Sequence, residues 1–270
     1  METGNTIRLQ LTLHYDGSDF HGWQIQPGQR TVQGELQAAL SRLANQPRSV
    51  VGSGRTDTGV HATGQVASVD MPSTWTPGAL QRSLNAVLPQ DIWVESVRRA
   101  APGFHPRYDA LARTYSYRIG TAPEAASPFH APQCWVLPCP LDRDLLDRGA
   151  QALIGEHSFH AFAKSGQPER GDRCVVSVAA WSEWSLGLRF DITADRYLHR
   201  MVRYLVGTLV AVGRSRRPVE DVAGLLEPGT TLECSPPAPP QGLFLARVEY
   251  PNDAAGAHDS QPSERRTAPA

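Results

Sequence analysis

Residues 7–15 read IRLQLTLHY, and every second position in this stretch carries an apolar or aromatic side chain. A period of two is typical of a β-strand that buries one face. The turn-forming residues Asp16-Gly17-Ser18 follow, and apolar residues then return at helical spacing behind Thr31, a suitable N-cap. The chain is therefore predicted to begin with a strand, a turn and a helix.

The rest of the chain repeats one order of elements. The first β-α-β-β-α-β unit continues with strands near 48–52 and 64–70, a helix that starts at Thr76-Pro77 and a strand at 92–97. The second unit is predicted as strands near 111–119, 174–182, 187–194 and 243–250, with helices near 142–154 and 197–213 and a short helix after Pro218. Each unit has the ferredoxin-like order, which folds as an antiparallel sheet with helices on one face.

This order predicts an α+β fold made of two ferredoxin-like halves. Residues 1–105 form the first half and residues 106–251 form the second. Residues 252–270 are rich in Ala, Pro, Ser and charge and lack apolar periodicity, so a disordered tail is predicted there. Sheets of this topology also occur in RNA-recognition modules, although topology alone does not determine function.

The composition excludes some classes of protein and weakens others. A net charge of -1 and a pI near 6.8 do not point to nucleic-acid binding, although Lys164 is the only lysine and arginine suits phosphate contacts. The four cysteines are too few and too irregularly spaced for a disulfide framework or a structural zinc site. No long apolar run and no secretory signal occur, so a cytoplasmic protein without a membrane span is expected.

The segment from Gly52 to Ala62, GSGRTDTGVHA, is a polar, glycine-studded connection between two predicted strands. It is neither a phosphate-binding P-loop nor a dinucleotide fingerprint. If the backbone is extended here, Arg55 and Asp57 project to the same side within reach of an ion pair, which would keep a nucleophilic carboxylate ionised. Alternatively, Asp57 is a turn residue that bonds the backbone, with Gly59 supplying a positive φ.

Segments spread along the chain resemble the tRNA pseudouridine synthase A family. The segment around Asp57 is similar to that family's signature. Further similar segments, in family order, are Tyr15-Asp16-Gly17-Ser18, Gly22-Trp23-Gln24, Thr31-Val32-Gln33-Gly34-Glu35-Leu36, Phe104-His105-Pro106-Arg107-Tyr108, Ala112-Arg113-Thr114-Tyr115-Ser116-Tyr117, Phe159-His160-Ala161-Phe162, Leu198-His199-Arg200-Met201-Val202-Arg203, Gly242-Leu243 and Val248-Glu249-Tyr250-Pro251. The resemblance covers about residues 7–251.

The resemblance implies an enzyme that isomerises uridine at nucleotides 38, 39 and 40 in the anticodon stem-loop of tRNA, without a cofactor or a metal. It also implies a homodimer in which the two halves of each chain share a continuous, mainly antiparallel sheet, with the active-site cleft between them. The family's catalytic aspartate, expected to be the nucleophile, corresponds to Asp57 and its active-site tyrosine to Tyr115. Its two active-site arginines correspond to Arg55 and Arg203.

The roles of these residues are only partly determined by the sequence. Asp57 could attack the ribose C1′ or help to remove the 2′ proton, and Tyr115 could stack on the uracil or take the C5 proton. Arg203 falls in an apolar helix, and a buried arginine needs an anionic partner, for which Asp57 is the natural candidate. His61, Arg107, Arg200 and Tyr115 are predicted contacts to the RNA substrate.

Two other functions are compatible with parts of the sequence. A non-catalytic RNA-binding protein could use the same paired sheets, and it would not need Asp57. A metal-dependent hydrolase could use Glu156, His157 and His160. Their order is Glu-His-x-x-His, however, and not the His-Glu-x-x-His of a zinc helix, so no metal site is predicted.

Overall fold

The computed structural model describes residues 6–163 and 171–251, and the predicted tail at 252–270 lies outside the described residues. The first part of the chain contains β1 (Thr6–Tyr15), α1 (Val32–Ala44), β2 (Val50–Gly52), β3 (His61–Pro72), α2 (Pro77–Val87) and β4 (Ile92–Arg99). The second part contains β5 (Ala112–Gly120), β6 (Trp135–Val136), α3 (Arg143–Gln151), β7 (Gly155–Ser158), β8 (Arg173–Trp184), β9 (Gly187–Ala194), α4 (Met201–Gly213), α5 (Glu220–Gly224) and β10 (Leu243–Glu249).

The ten described strands form one sheet, and the predicted α+β class is confirmed. The main path runs β4-β1-β3-β10-β5-β9-β8-β7, with β2 paired to β3 and β6 paired to β5. The order β4-β1-β3 with β2, followed by β10-β5-β9-β8, gives two units of the ferredoxin-like type. The short strands β6 and β7 were not predicted.

The two units are joined through β10, the last strand of the chain. It pairs antiparallel with β5 and parallel with the start of β3, where Phe244 lies opposite His61 and Leu245 opposite Ala62. Most of the other pairings are antiparallel, as predicted. Because β10 meets the first residues of β3, the loop before β3 lies at the junction of the two units.

The starts of α1 and α2 follow from side-chain capping, whereas α4 begins without a side-chain cap. Thr31 Oγ1 accepts a hydrogen bond from Gly34 N and Thr76 Oγ1 accepts one from Ala79 N, which confirms both predicted N-caps. Helix α4, predicted from about residue 197, begins four residues later. Arg200 adopts a left-handed conformation with φ of 63°, so residues 197–200 are not helical and form the connection that leads to α4.

Apolar side chains from both units form one continuous core. Leu9, Leu11 and Leu13 of β1 are fully buried, and so is Leu36 of α1. Ten of the thirteen residues of α4 are buried, as expected for a helix with apolar residues on most of its faces. None of the helices in the described ranges is long and apolar enough to cross a membrane.

Candidate active site

Asp57 lies in the loop between β2 and β3. This loop, residues 53–60, is not extended: Val60 N donates to Asp57 O at 3.1 Å, and Gly59 has a positive φ of 76°. The loop is thus a turn, as the alternative interpretation of the sequence supposed. Arg55 is exposed, and among the described residues it makes no ion pair with Asp57.

Buried polar side chains of β1 and β3 fix this loop by hydrogen bonds. Gln65, which has no exposed surface, accepts a hydrogen bond from Ser53 Oγ at 2.8 Å and donates one from Nε2 to Gly54 O at 2.9 Å. The Tyr15 hydroxyl lies 2.9 Å from Thr56 Oγ1. Satisfied buried polar groups of this kind fix a loop in one conformation. Sequence reasoning did not identify Gln65, because a single polar residue within a strand pattern carries no distinctive signal.

Arg113 fastens the same loop to the second unit. Its guanidinium donates to Ser53 O at 2.8 Å and to Arg107 O at 2.8 Å, and it also bonds Asp195 O at 3.3 Å. Burial lowers the pKa of Arg113. Since its hydrogen bonds are made to main-chain carbonyls, Arg113 acts as a brace between β5 and the loop.

Three basic side chains from the second unit surround the Asp57 carboxylate. His199 Nε2 lies 3.5 Å from Oδ1, while Arg203 Nη1 and Arg200 Nε lie 3.6 Å and 3.8 Å from Oδ2. The predicted ion pair between Arg203 and Asp57 is therefore present. His199 was not predicted, because the stretch that contains it was assigned to the helix.

The carboxylate is attracted by these groups but not hydrogen-bonded by them. No described group donates a hydrogen bond to either oxygen of Asp57, and Gly59 N bonds Phe20 O instead. The carboxylate therefore does not serve the turn. Its side chain is 27% exposed, so its oxygens can be approached from the surface. An oxygen with free lone pairs is what a nucleophile or a base requires.

The three basic groups differ in burial, and this difference separates their possible roles. The Arg203 side chain is 12% exposed and its Nε donates to Ala238 O at 2.7 Å. The side chains of Arg200 and His199 are 35% and 56% exposed. Arg203 is thus an internal partner of the carboxylate, while Arg200 and His199 also present part of their side chains at the surface.

Tyr115, in β5, lies close enough to Asp57 for the carboxylate charge to act on its hydroxyl. The side chain is 8% exposed and packs edge-to-face on Tyr197, with ring centroids 4.9 Å apart. Burial raises the pKa of Tyr115 to about 12, Arg113 opposes this shift, and the negative charge of Asp57 adds to it. No described group is hydrogen-bonded to its hydroxyl, which leaves this donor available to a ligand.

The remaining predicted RNA contacts fall in different places. Arg107 is exposed, and its guanidinium lies over the Tyr108 ring, 5.9 Å from the centroid. His61 is only 1% exposed: its Nδ1 accepts from Gly17 N at 3.0 Å and its ring stacks on Phe244. His61 is the first residue of β3, and its side chain is buried there. The ring therefore offers no surface to RNA, in contrast to the predicted contact.

The residues considered for a metal-dependent hydrolase are engaged elsewhere. Glu156 accepts a hydrogen bond from Arg173 Nε at 2.7 Å, and His157 Nε2 lies 3.0 Å from Ile154 O. Within the described part of the chain, no three His, Cys, Asp or Glu side chains are grouped as metal ligands would be. These contacts favour a structural role for the Glu-His-x-x-His segment.

Comparison with known proteins places both parts of the site in one family. The family model described as tRNA pseudouridine synthase matches residues 12–109 and 150–251. A tRNA pseudouridine synthase A from Frankia casuarinae is 41% identical over 252 residues, covering 93% of this chain and 92% of its own length. One from Solidesulfovibrio magneticus is 43% identical over 253 residues, covering 90% and 91% respectively. The similarity includes the loop that carries Asp57 and helix α4.

Proposed function

The chain belongs to the tRNA pseudouridine synthase family, and from this premise we propose that it converts uridine to pseudouridine at nucleotides 38, 39 and 40 in the anticodon stem-loop of tRNA. The observation that carries the proposal is the Asp57 carboxylate. It lies at the junction of the two units, free of hydrogen bonds and surrounded by basic groups. A protein that only bound RNA would gain nothing from a partly buried carboxylate there, since phosphate repels it.

The reaction is an isomerisation, so its atoms and electrons balance within the substrate. The bond from C1′ to N1 breaks, the uracil turns, a bond from C1′ to C5 forms, and the C5 proton leaves while N1 gains one. No electron or group is transferred to another molecule, and the reaction therefore requires no cofactor. Asp57 acts at the first step, either by attacking C1′ or by taking the 2′ proton.

The three basic groups are expected to have different roles. Arg203 remains beside Asp57 and stabilises its negative charge, because it is nearly buried and oriented by Ala238. Arg200 and His199 present surface beside the carboxylate and contact the phosphates flanking the target nucleotide. The target base must leave its stack to reach Asp57, which costs a few kcal/mol and is cheapest in a loop or at a stem end.

Tyr115 is expected to act with its proton in place. With a pKa of about 12, its hydroxyl is neutral throughout the physiological range, so it can donate a hydrogen bond to the uracil while the ring packs beside it. We expect the single-turnover rate at saturating tRNA to change by less than about twofold between pH 7 and pH 8.5. A rate that rose tenfold per pH unit would show that a deprotonated phenolate is the reactive form.

Arg107 is expected to contribute to affinity and not to rate. Its exposed guanidinium would meet the RNA backbone, so Arg107→Ala should weaken tRNA binding and lower the salt slope of log Kd by about 1. Arg42→Ala, a change at another exposed arginine, on α1, serves as the control and should leave the slope unchanged. A fall in the saturated rate with an unchanged slope would contradict this assignment.

The proposed positions are tested with unmodified tRNA transcripts. Pseudouridine is mapped by nucleotide after incubation with the protein, in transcripts that carry uridine at 38, 39 and 40 and in transcripts where each is replaced by cytidine. The proposal expects product at these positions and its loss at each replaced one. Product confined to another arm of the tRNA would contradict the proposed nucleotides but would still support uridine isomerisation as the reaction.

Two further properties belong to the same proposal. We infer that the protein works in the cytoplasm, where its substrate is found, and that it acts as a homodimer. Light scattering of the purified protein at several concentrations tests the second point. A mass near that of one 29.4 kDa chain at all concentrations would contradict it.

A further inference from the structure

A proline-rich segment, residues 235–240 with the sequence SPPAPP, lies along α4 and is called here the proline strap. Proline has no N–H and a fixed φ, so such a segment is stiff and has few backbone donors. Only Ser235 and Ala238 carry an N–H. Ser235 N donates to Thr208 Oγ1 at 3.1 Å and Ala238 N donates to Arg203 O at 2.9 Å. Both donors of the strap are thus bonded to α4.

The strap packs closely against the two elements that carry the central ion pair. A Cβ built on Gly207 would lie 2.1 Å from Pro236 O, so the strap rests on the backbone of α4. At its other end, Pro240 lies 3.1 Å from a Cβ built on Gly59, two residues after Asp57. The strap therefore bridges the helix that carries Arg203 and the loop that carries Asp57.

The contact between Arg203 and Ala238 sets the direction of the guanidinium. Nε donates to Ala238 O at 2.7 Å, and Nη1 lies 3.6 Å from Asp57 Oδ2. Because the guanidinium is planar and rigid, fixing Nε against the strap also fixes where Nη1 can lie. A displacement of Ala238 would consequently move the positive charge relative to the carboxylate.

Tyr117 also holds the strap, through a hydrogen bond to Pro239. Its side chain is fully buried in β5, and its hydroxyl donates to Pro239 O at 2.7 Å. Burial raises the pKa of Tyr117 well above its usual value, so the hydroxyl keeps the proton that it donates. A Cβ built on Gly242 would lie 2.6 Å from the ring, so the chain two residues after the strap also packs tightly on Tyr117.

We propose that Tyr117 is a positioning residue for the isomerisation, acting through the proline strap to hold Arg203 toward Asp57. This inference rests on the proposed function. Tyr117 is buried and two residues from Tyr115, and it acts on the reaction through the chain of contacts from Pro239 to Ala238 to Arg203.

The test is a double-mutant cycle between Tyr117→Phe and Arg203→Ala. Tyr117→Phe removes one hydroxyl and so frees Arg203 to move slightly. We expect the single-turnover rate at saturating tRNA to fall by roughly 10- to 100-fold, as is typical when a catalytic group is displaced by a fraction of an ångström to about 1 Å. The Kd for tRNA should stay within about twofold, since no surface changes. In the Arg203→Ala background, the same substitution should cost less than about twofold, because its target is absent.

A matched control separates positioning from a general loss of stability. Tyr250→Phe removes a hydroxyl that donates to Pro106 O, also at 2.7 Å. Its effect on rate should be the same with and without Arg203. If Tyr117→Phe does not fold, Gly207→Ala provides a second displacement of the strap, with Gly213→Ala as the same change at the end of α4 against Leu146.

The possible outcomes are distinct. Rate losses of Tyr117→Phe and Arg203→Ala that multiply in the double variant would overturn the positioning role, and so would a wild-type rate for Tyr117→Phe. A wild-type protein that forms no pseudouridine would overturn the proposed function and this inference with it. An active wild type with a non-multiplicative cycle would support both.

Discussion

Asp57→Asn is expected to abolish pseudouridine formation, lowering the single-turnover rate by about four orders of magnitude or more. The amide has the shape of the carboxylate but carries no charge, so it can neither attack C1′ nor take a proton. Affinity for tRNA should be equal or tighter, because the change removes a negative charge from a surface that meets phosphate. Rates and Kd values measured with the same transcript give both quantities.

Asp70→Asn is the matched control for this change. Asp70 also forms an arginine pair, accepting from Arg8 Nε at 2.9 Å and Nη2 at 2.8 Å. Asp70 lies near the end of β3 that is farther from the Asp57 loop, so the rate should stay near that of the wild type. Equal losses in both variants would indicate that Asp57→Asn acts through stability alone. Lost tRNA binding by a folded Asp57→Asn would contradict the division between chemistry and affinity.

Arg203→Ala is expected to give the second-largest effect, a fall in rate of roughly 100- to 1000-fold, which is typical when one preorganised charge is removed from an active site. The substitution leaves Asp57 with only the more exposed partners Arg200 and His199, and it leaves Ala238 O without its donor. Affinity should change little, since the Arg203 side chain is 12% exposed. Single-turnover kinetics and filter binding with one transcript separate these two quantities.

Arg203→Lys distinguishes charge from geometry. A single ammonium cannot bond Ala238 O and also extend toward Asp57 as the guanidinium fork does. We therefore expect Lys to restore only part of the rate lost in Arg203→Ala. Full activity of Arg203→Lys would mean that the charge alone matters, and a loss of affinity equal to the loss of rate would assign Arg203 to RNA binding.

Much of the fold and the central ion pair could be predicted because they follow from local patterns and from burial. The alternation at residues 7–15 produced β1, and the caps at Thr31 and Thr76 mark where α1 and α2 begin. Arg203 was assigned to Asp57 because an arginine in an apolar helix needs an anion, and the structure contains that pair. Such inferences succeed where one physical requirement outweighs the alternatives.

The rest depended on backbone geometry that the sequence does not express. Arg55 was paired with Asp57 on the assumption of an extended backbone, but the chain turns at residues 57–60, and the exposed Arg55 side chain makes no ion pair with Asp57 among the described residues. Arg200 adopts a left-handed conformation that is rare for arginine, so no pattern signalled that α4 begins after it. That connection also places His199 beside Asp57, which explains why His199 was missed.

The most direct test of the account uses a tRNA transcript whose uracils carry tritium at C5. Joining C1′ to C5 expels that hydrogen, so tritium released into water reports the isomerisation itself. Wild-type protein should release the tritium of the target uridines of the anticodon stem-loop, and Asp57→Asn should release none while binding the same transcript. Release by Asp57→Asn at the wild-type rate would show that the carboxylate is not the group that opens the C1′ bond.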